Sequence, residues 1–206
     1  MNRPLTATEG LPAGVARPAY DRTRIRAGIL HLGPGAFFRS HLAVYTDSAL
    51  AVSGGDWGIA AGGLRNARTA ELLNAQHGLY TLIVRDAARS RARVVGAVTG
   101  GIAPADLLER MSDPNIRIVS LTVSEKGYGL DPATGGLDQA HPDIAADLAA
   151  PAKPRSAVGL IAAALRRRRA AGHPPFTPLS CDNLSGNGAT LRRLVVEFAV
   201  THNPGL

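Results

Sequence analysis

Residues 28–38 read GILHLGPGAFF, and this stretch decides the fold. Its first five residues, GILHL, form a short apolar run bounded by a turn, which predicts a buried strand. The Gly-Pro-Gly that follows at positions 33–35 predicts a sharp turn. From position 37 to 50 the apolar residues recur at helical spacing. A buried strand, a glycine-rich turn and an amphipathic helix in this order are typical of a βα unit that binds phosphate at the turn.

The rest of the chain alternates between short apolar runs and amphipathic stretches of helical length. These patterns predict further strands at residues 57–61, 79–84, 92–98, 116–123 and 176–181, and helices at residues 67–75, 105–111, 142–149, 156–171 and 191–202. Strands that alternate with helices favour an α/β fold with a mostly parallel sheet. We therefore expect one domain over residues 25–206, after an irregular lead-in at residues 1–24.

The composition is that of a folded, globular protein. Of the 206 residues, 45% are hydrophobic and 19% are charged, a balance that excludes a disordered chain. The single cysteine, Cys181, excludes an internal disulfide and fits a reducing compartment. The sequence contains no apolar run of about 18 residues, the length that spans a membrane, and no signal-peptide pattern. We therefore expect a cytoplasmic protein with no membrane partner.

The net charge of +7 admits two kinds of partner, nucleic acid and a phosphorylated cofactor. The strongest basic run, residues 166–169, ends the helix predicted at 156–171, where cations complement the helix dipole and stay solvated. Aromatic residues do not interleave with this run, as they would in a protein that binds single-stranded nucleic acid. We expect no nucleic-acid partner, and a basic nucleic-acid-binding protein is the least favoured alternative.

The Gly-Pro-Gly turn begins a G-x-G-x-x-G pattern that it does not complete, because Phe38 occupies the third glycine position. In a dinucleotide-binding turn, Gly33 would allow the sharp bend and Gly35 would let the backbone approach a pyrophosphate. Ala36 and Phe37, which open the helix, would lie against the same group. The alternative is a tight strand-to-helix turn that binds no ligand.

The loop after the second predicted strand decides between NAD and NADP. NAD-binding units usually carry an acidic residue there, about 20 positions after the glycine turn, whereas this chain has none before Glu71. Arg65 and Arg68 would instead attract the 2′-phosphate of NADP, and Asn66 is a further candidate contact. We expect NAD or NADP, with dual specificity or a preference for NADP. The alternative is that both arginines are ordinary surface residues.

Two later loops carry polar residues at the ends of predicted strands, where ligands bind in open α/β sheets. In the first loop, Glu125 would handle protons, while Thr122 and Lys126 would contact the cofactor or hold an anionic group. In the second loop, Asn183 would donate to an oxyanion that develops on a carbonyl, with Asp182 orienting it. The alternatives are an exposed turn in the first loop and a helix N-cap in the second.

The histidines indicate no metal site. The six His residues show no metal-ligand spacing, and His31 lies in a predicted strand, where a core residue is the better interpretation. Cys181 has no histidine close to it in sequence, so we interpret it as a small core residue rather than as a nucleophile. We expect no bound metal.

Taken together, the three loops resemble the mannitol dehydrogenase family of long-chain polyol dehydrogenases. The resemblance extends from Gly28 to Leu206. The pieces of sequence that carry it are HLGPGAF at 31–37, Arg39 with His41, SLT at 120–122, EKGY at 125–128, SCDNL at 180–184 and NG at 187–188. Departures from the family pattern at Ser185 and Gly186, beside Asn183, leave the substrate open.

The resemblance implies a Rossmann-like, doubly wound domain that binds NAD or NADP, followed in the family by a mostly helical C-terminal domain. It implies that Gly33, Gly35 and Phe37 line the cofactor pyrophosphate. It also implies that Glu125 gates proton movement and that Asn183 polarises the reacting carbonyl. The substrate would be a polyol or a hydroxy sugar acid, such as mannitol or mannonate, which hydride transfer interconverts with its ketose.

In the family, the catalytic lysine belongs to the C-terminal domain, and it has no counterpart in this sequence. We therefore expect a truncated dehydrogenase that is inactive by itself. Its partner would be the missing C-terminal domain, on the same polypeptide or as a separate chain. The alternative is a non-catalytic dinucleotide-binding module or a regulatory subunit.

Overall fold

The computed structural model describes residues 4–202, apart from the side chains of residues 125 and 126. Its strands are β1 (Val15–Ala16), β2 (Ala27–Leu32), β3 (Gly58–Gly62), β4 (Tyr80–Arg85), β5 (Ser90–Val95), β6 (Val98–Ile102), β7 (Ile118–Leu121) and β8 (Thr177–Ser180). Its α-helices are α1 (Ala36–Ser40), α2 (Leu42–Ser53), α3 (Arg68–Ala75), α4 (Leu107–Ser112), α5 (Pro142–Ala149), α6 (Ala157–Ala170) and α7 (Asn187–His202). None of the described helices is long and apolar enough to cross a membrane.

The main sheet has five parallel strands in the order β6-β3-β2-β7-β8. The chain runs from β2 outward to β3 and β6, and then returns to the other side of β2 to add β7 and β8. The direction of winding therefore reverses between β2 and β7, which is the switch point at which open α/β sheets bind ligands. This order confirms the α/β, Rossmann-like, doubly wound fold that the sequence predicts.

Helices cover both faces of the main sheet. Leu30 and Leu32 of β2 pack into a cluster with α4, α6 and α7, whereas Ile29 packs into a second cluster with residues of α1, α2 and α3. Neighbouring residues of one strand point to opposite faces, so a strand covered on both sides is apolar throughout. This double burial explains why β2 and β7 are apolar in the sequence apart from one buried polar residue each, His31 and Ser120.

A smaller sheet has the order β1-β5-β4 and lies beside the α2 face. Strands β4 and β5 form the expected antiparallel hairpin, with Tyr80 opposite Val95. The segment predicted as an irregular lead-in contributes β1, which pairs in parallel with β5. The Tyr20 hydroxyl donates to the buried Asp47 of α2 at 2.5 Å. The lead-in is therefore fastened to the domain and is not wholly irregular.

Two predicted element boundaries are wrong. The strand predicted at 92–98 is divided between β5 and β6, and β6 joins the edge of the main sheet. Glycines disfavour a strand, but Gly101 is needed here because a Cβ at that position would lie 2.3 Å from the Ala70 carbonyl of α3. The helix predicted over 37–50 is interrupted at His41, whose φ of −123° and ψ of −86° are not helical.

The basic run at 166–169 was expected to be solvated, and this is wrong for Arg168. The Arg168 side chain is buried, with 1% of its surface exposed. Its guanidinium donates to the carbonyls of Asp113 at 2.7 Å, Ile116 at 2.9 Å and Pro174 at 2.7 Å. Arg168 therefore joins the end of α6 to the turn between α4 and β7, an arrangement that a local charge pattern does not show.

Candidate functional site

The turn after β2 is held against β7 by close backbone packing at Gly33. Gly33 has a φ of +90°, and its N–H donates to the Gly62 carbonyl at 3.0 Å. A Cβ at Gly33 would lie 2.2 Å from the carbonyl oxygen of Thr122. The fold therefore requires glycine at position 33, because only glycine fits both this conformation and this contact.

Gly35 differs from Gly33 because nothing in the described part of the protein fills the space beside it. Its φ is −72°, which any residue adopts. A Cβ at Gly35 would meet only the Gly33 carbonyl oxygen, 3.9 Å away. The fold itself does not need glycine here, so the open side of the turn is free for a ligand to approach the backbone.

The Gly33 carbonyl is fixed by several donors. The Gly35 N–H lies 2.7 Å from its oxygen, and the Thr122 hydroxyl lies 2.6 Å from it. His31 Nε2 lies 3.1 Å from the same oxygen, and His31 Nδ1 lies 2.9 Å from the Ser120 hydroxyl. Because a carbonyl only accepts, Nε2 carries the proton and Nδ1 accepts from Ser120.

His31 is a neutral core residue that supports the turn. Its side chain is buried, and burial lowers its pKa to about 3. Its ring stacks on Phe38 at 3.8 Å. The position at which a third glycine would complete the dinucleotide pattern is therefore occupied by a buried core residue. The sequence interpretation of His31 as core agrees with this placement, although its contact with the turn was not predicted.

A cleft of about 600 Å³ opens beside the turn, at the carboxyl ends of β2, β3 and β7. Its lining residues are Gly33, Gly63, Leu64, Arg65, Asn66, Thr122, Val123, Ser124, Gly127, His141, Asp143 and Ser156. The structure thus brings together four of the residues predicted to bind a cofactor, namely Gly33, Arg65, Asn66 and Thr122. Three others, Gly35, Ala36 and Phe37, are exposed on the adjoining turn and helix.

Arg65 forms an ion pair with Asp143 of α5 across this cleft. The Asn66 side-chain oxygen accepts from the Arg68 N–H at 2.7 Å, which shapes the loop after β3. The loop itself carries no carboxylate, but the fold brings one to it from α5. No local pattern indicates Asp143, because the pair joins positions 78 residues apart.

Phe37 lies at the rim of the turn, with 57% of its surface exposed. It stacks on His41 with 4.3 Å between the ring centres. The Arg39 side chain turns back to donate to the Pro34 carbonyl at 2.5 Å, and the Tyr80 hydroxyl donates to the Arg39 carbonyl at 2.6 Å. The short helix that follows the turn is thus tied both to the turn and to the hairpin.

The loop after β8 lies against the loop after β7. Asp182 accepts from the N–H groups of Val123 at 3.2 Å and Ser124 at 3.3 Å. Ser124 has a φ of +67°, which is strained for a residue other than glycine. Asp182 was predicted to orient Asn183, and its side chain instead holds this neighbouring loop. Asn183 itself is exposed and makes no hydrogen bond with the described residues.

Two of the predicted site residues, Glu125 and Lys126, have side chains that lie outside the described residues. Their backbone belongs to the 3-10 turn Glu125–Tyr128. Among the described residues, His, Cys, Asp and Glu side chains form no group of three that could hold a metal ion. Cys181 is half-buried, and burial raises the pKa of its thiol, which disfavours the nucleophilic thiolate.

A comparison with known families identifies the domain. The sequence profile described as the mannitol dehydrogenase Rossmann domain matches residues 27–204. The chain belongs to the mannitol dehydrogenase family. This confirms the family resemblance drawn from the three loops, and it places the glycine turn, the cleft and the loops after β7 and β8 within the Rossmann domain of that family.

Individual members of the mannitol dehydrogenase family agree with this assignment. A mannitol 2-dehydrogenase of Cereibacter sphaeroides is 51% identical, over 93% of this chain and 42% of that protein. A polyol:NADP oxidoreductase of Gluconobacter oxydans is 41% identical, over 96% of this chain and 42% of that protein. The structure of Pseudomonas fluorescens mannitol 2-dehydrogenase in a ternary complex with NAD and D-mannitol superposes with a TM-score of 0.89 at 41% identity, over 94% of this chain and 41% of that one. The chain spans about two fifths of the length of these relatives.

Proposed function

We propose that this chain binds NAD or NADP at the carboxyl edge of its main sheet. In our proposal it supplies the cofactor-binding part of a dehydrogenase that interconverts a polyol or a hydroxy sugar acid with its ketose. Membership of the mannitol dehydrogenase family supports the reaction class. The observation that carries the proposal is the turn at Gly33 and Gly35, which is rigid on its inner side and open on its outer side.

The described residues fit a dinucleotide. A pyrophosphate needs close access to the backbone, and the open space at Gly35 provides it. In a doubly wound sheet the adenosine ribose lies at the end of the strand next to the glycine turn, where the cleft is lined by Arg65 and Asn66. Thr122, at the end of β7, lines the same cleft and holds the turn in place.

When bound, the nicotinamide group would accept hydride from the substrate carbon or donate hydride to it. The exposed Asn183 is the residue of this chain that we propose as a donor to the carbonyl oxygen. We propose Glu125 as the residue that handles protons, and Lys126 as a cofactor contact. The loops that carry Asn183 and Glu125 are joined through Asp182 and Tyr128, which keeps them close together.

We propose that the general base of the reaction, the family's lysine, comes from a second domain. The chain's span of about two fifths of its relatives' length supports this division of roles. The Rossmann domain by itself would then bind cofactor and turn over little substrate, because loss of a general base typically costs about 10²–10⁴-fold. An assay of mannitol and mannonate oxidation, with and without a relative's C-terminal domain added, measures this dependence.

Calorimetric titration with NADH and NADPH tests the central proposal. We expect binding of at least one of them by the unmodified chain, and its loss in Gly35→Asp, because the new carboxylate would occupy the open side of the turn and repel the pyrophosphate. Gly188→Asp is the matched control, since Gly188 also has open space around it and lies outside the cleft. Equal affinity in the unmodified chain and in Gly35→Asp would refute the proposed site.

A further inference from the structure

The cleft is crossed by a contact between two segments that are distant in sequence. Arg65 follows β3, and Asp143 is the second residue of α5. The Arg65 side chain is 74% exposed, whereas that of Asp143 is only 21% exposed. The carboxylate is thus the more buried member of the pair, and the exposed arginine reaches over to it.

Asp143 is held in place by the helix to which it belongs. Helix α5 begins with Pro142, which favours the first helical turn. The next residue after Asp143, Ile144, is fully buried in the core formed with α6 and α7. The Asp143 N–H donates to His141 Nδ1 at 3.3 Å. The packing of α5 therefore sets the backbone position of Asp143 at the cleft, and Arg65 pairs with its carboxylate.

The location of the pair matters for the choice of cofactor. In a doubly wound sheet, the loop after β3 meets the ribose whose 2′ position carries a hydroxyl in NAD and a phosphate in NADP. In this chain that loop contains Arg65 and Asn66 but no acidic residue before Glu71. Asp143 brings the otherwise absent negative charge to the same part of the cleft.

We propose that Asp143 determines cofactor choice by disfavouring the 2′-phosphate, so that the site prefers NAD(H) to NADP(H). Two effects act in the same direction. The carboxylate repels the phosphate, and it neutralises Arg65, a cation lining the same cleft that would otherwise pair with the phosphate. This inference rests on the proposed function, because it needs a dinucleotide in the cleft. It replaces the preference for NADP that Arg65 and Arg68 indicate in the sequence.

Titration of four proteins with NADH and NADPH tests the inference: the unmodified chain, Asp143→Asn, Arg65→Ala and the double variant. Asp143→Asn removes the charge at nearly constant shape, and we expect NADPH to bind about tenfold more tightly, since the repulsion between two like charges a few ångströms apart in a largely solvent-filled cleft corresponds to a change in affinity of about this size. We expect the NADH affinity to change by less than about threefold. The gain for NADPH should be smaller in the double variant, because removal of the carboxylate then relieves the repulsion but releases no Arg65 to pair with the phosphate.

The control is Asp113→Asn, which breaks a second partly exposed ion pair, Arg110 to Asp113 at 2.6 Å, that does not line the cleft. This control should leave both affinities unchanged, and unchanged NADH binding by Asp143→Asn shows that the variant is folded.

Two results would overturn the inference while leaving the proposed function standing. One is NADH binding by the unmodified chain without a gain for NADPH in Asp143→Asn, and the other is tighter binding of NADPH than of NADH by the unmodified chain. Failure of the unmodified chain to bind either cofactor would overturn the proposed function itself, and the inference with it.

Discussion

Tyr128 donates a hydrogen bond from its hydroxyl to Asp182 Oδ2 at 2.6 Å, and so joins the loop after β7 to the loop after β8. The same hydroxyl lies 2.7 Å from the Ser180 hydroxyl. Burial, and then the hydrogen bond to Asp182, raises the pKa of Tyr128, so the phenol keeps its proton at ordinary pH. The two loops that carry the candidate residues Glu125 and Asn183 are therefore fastened to each other by a protonated, buried tyrosine.

Removal of this hydroxyl should loosen the two loops. We expect Tyr128→Phe to lower the free energy of unfolding by about 1–2 kcal/mol, because the Asp182 carboxylate loses a strong donor in a half-buried setting. Urea denaturation measures the change. Tyr45→Phe is the control, since Tyr45 is 68% exposed, and a change at such a surface position is usually within about 0.5 kcal/mol. Equal stability of the two variants would contradict the prediction.

His31 should make the stability depend on pH. Its pKa is about 3 in the folded protein, against 6.5 for an unperturbed histidine, and burial is the main cause. Between these two values the unfolded chain binds one more proton at this residue than the folded chain does. Stability should therefore fall as the pH is lowered through this window, with a slope that approaches about 1.4 kcal/mol per pH unit.

The His31 contribution is isolated by comparing variants at about pH 6 and pH 5. We expect His31→Gln to be less stable than the unmodified chain at neutral pH and to lose less stability on acidification. His173→Gln is the control, because His173 is exposed. An unchanged pH dependence in His31→Gln, measured by denaturant titration at both values, would show that His31 is not the responsible group.

Arg168 should be among the most sensitive positions of the fold. Arg168→Met removes the donors of three carbonyl hydrogen bonds in a buried setting, and we expect a loss of about 3 kcal/mol or more. Arg167→Met, the same change one residue earlier on an exposed position, should cost less than about 0.5 kcal/mol. Thermal or urea unfolding of both variants gives the comparison. Similar stabilities would mean that the buried guanidinium contributes little.

Most strands of the main sheet could be predicted, because burial of a strand makes its own consecutive residues apolar. Strands β2 and β7 are buried on both faces, so each is apolar in the sequence apart from one buried polar residue, His31 in β2 and Ser120 in β7. Strand β6 could not be predicted, since it contains Gly100 and Gly101, which are poor strand formers. The reason for Gly101 is its contact with Ala70 of α3, and such a contact becomes visible only once the helix is packed on the strand.

The candidate site also has a part that the sequence predicts and a part that it does not. The turn at Gly33 and Gly35 could be predicted because it is contained in a few consecutive residues. The pair of Arg65 with Asp143 joins segments 78 positions apart, and no local pattern indicates it. The basic run predicted a solvated Arg168, which is wrong. Two of the carbonyls that accept from Arg168 lie more than 50 positions away in the chain, so the run itself does not indicate them.

The two glycines of the turn should respond to the same substitution in opposite ways. Gly33→Ala would place a methyl group 2.2 Å from the Thr122 carbonyl at a φ of +90°, and we expect it to lower the free energy of unfolding by about 2–4 kcal/mol. Gly35→Ala meets no protein atom closer than 3.9 Å, so stability should be unchanged or slightly raised.

Gly35→Ala should leave the stability intact but weaken cofactor binding. The new methyl group of Gly35→Ala would occupy the space that we assign to the pyrophosphate, and we expect the affinity for NADH to fall at least about tenfold, or about 1.4 kcal/mol. Calorimetric titration of this stable variant separates the two roles, because a loss of binding cannot then come from a loss of structure. Wild-type affinity in Gly35→Ala would mean that the open side of the turn does not receive the cofactor, and that the pyrophosphate binds elsewhere on the carboxyl edge of the sheet.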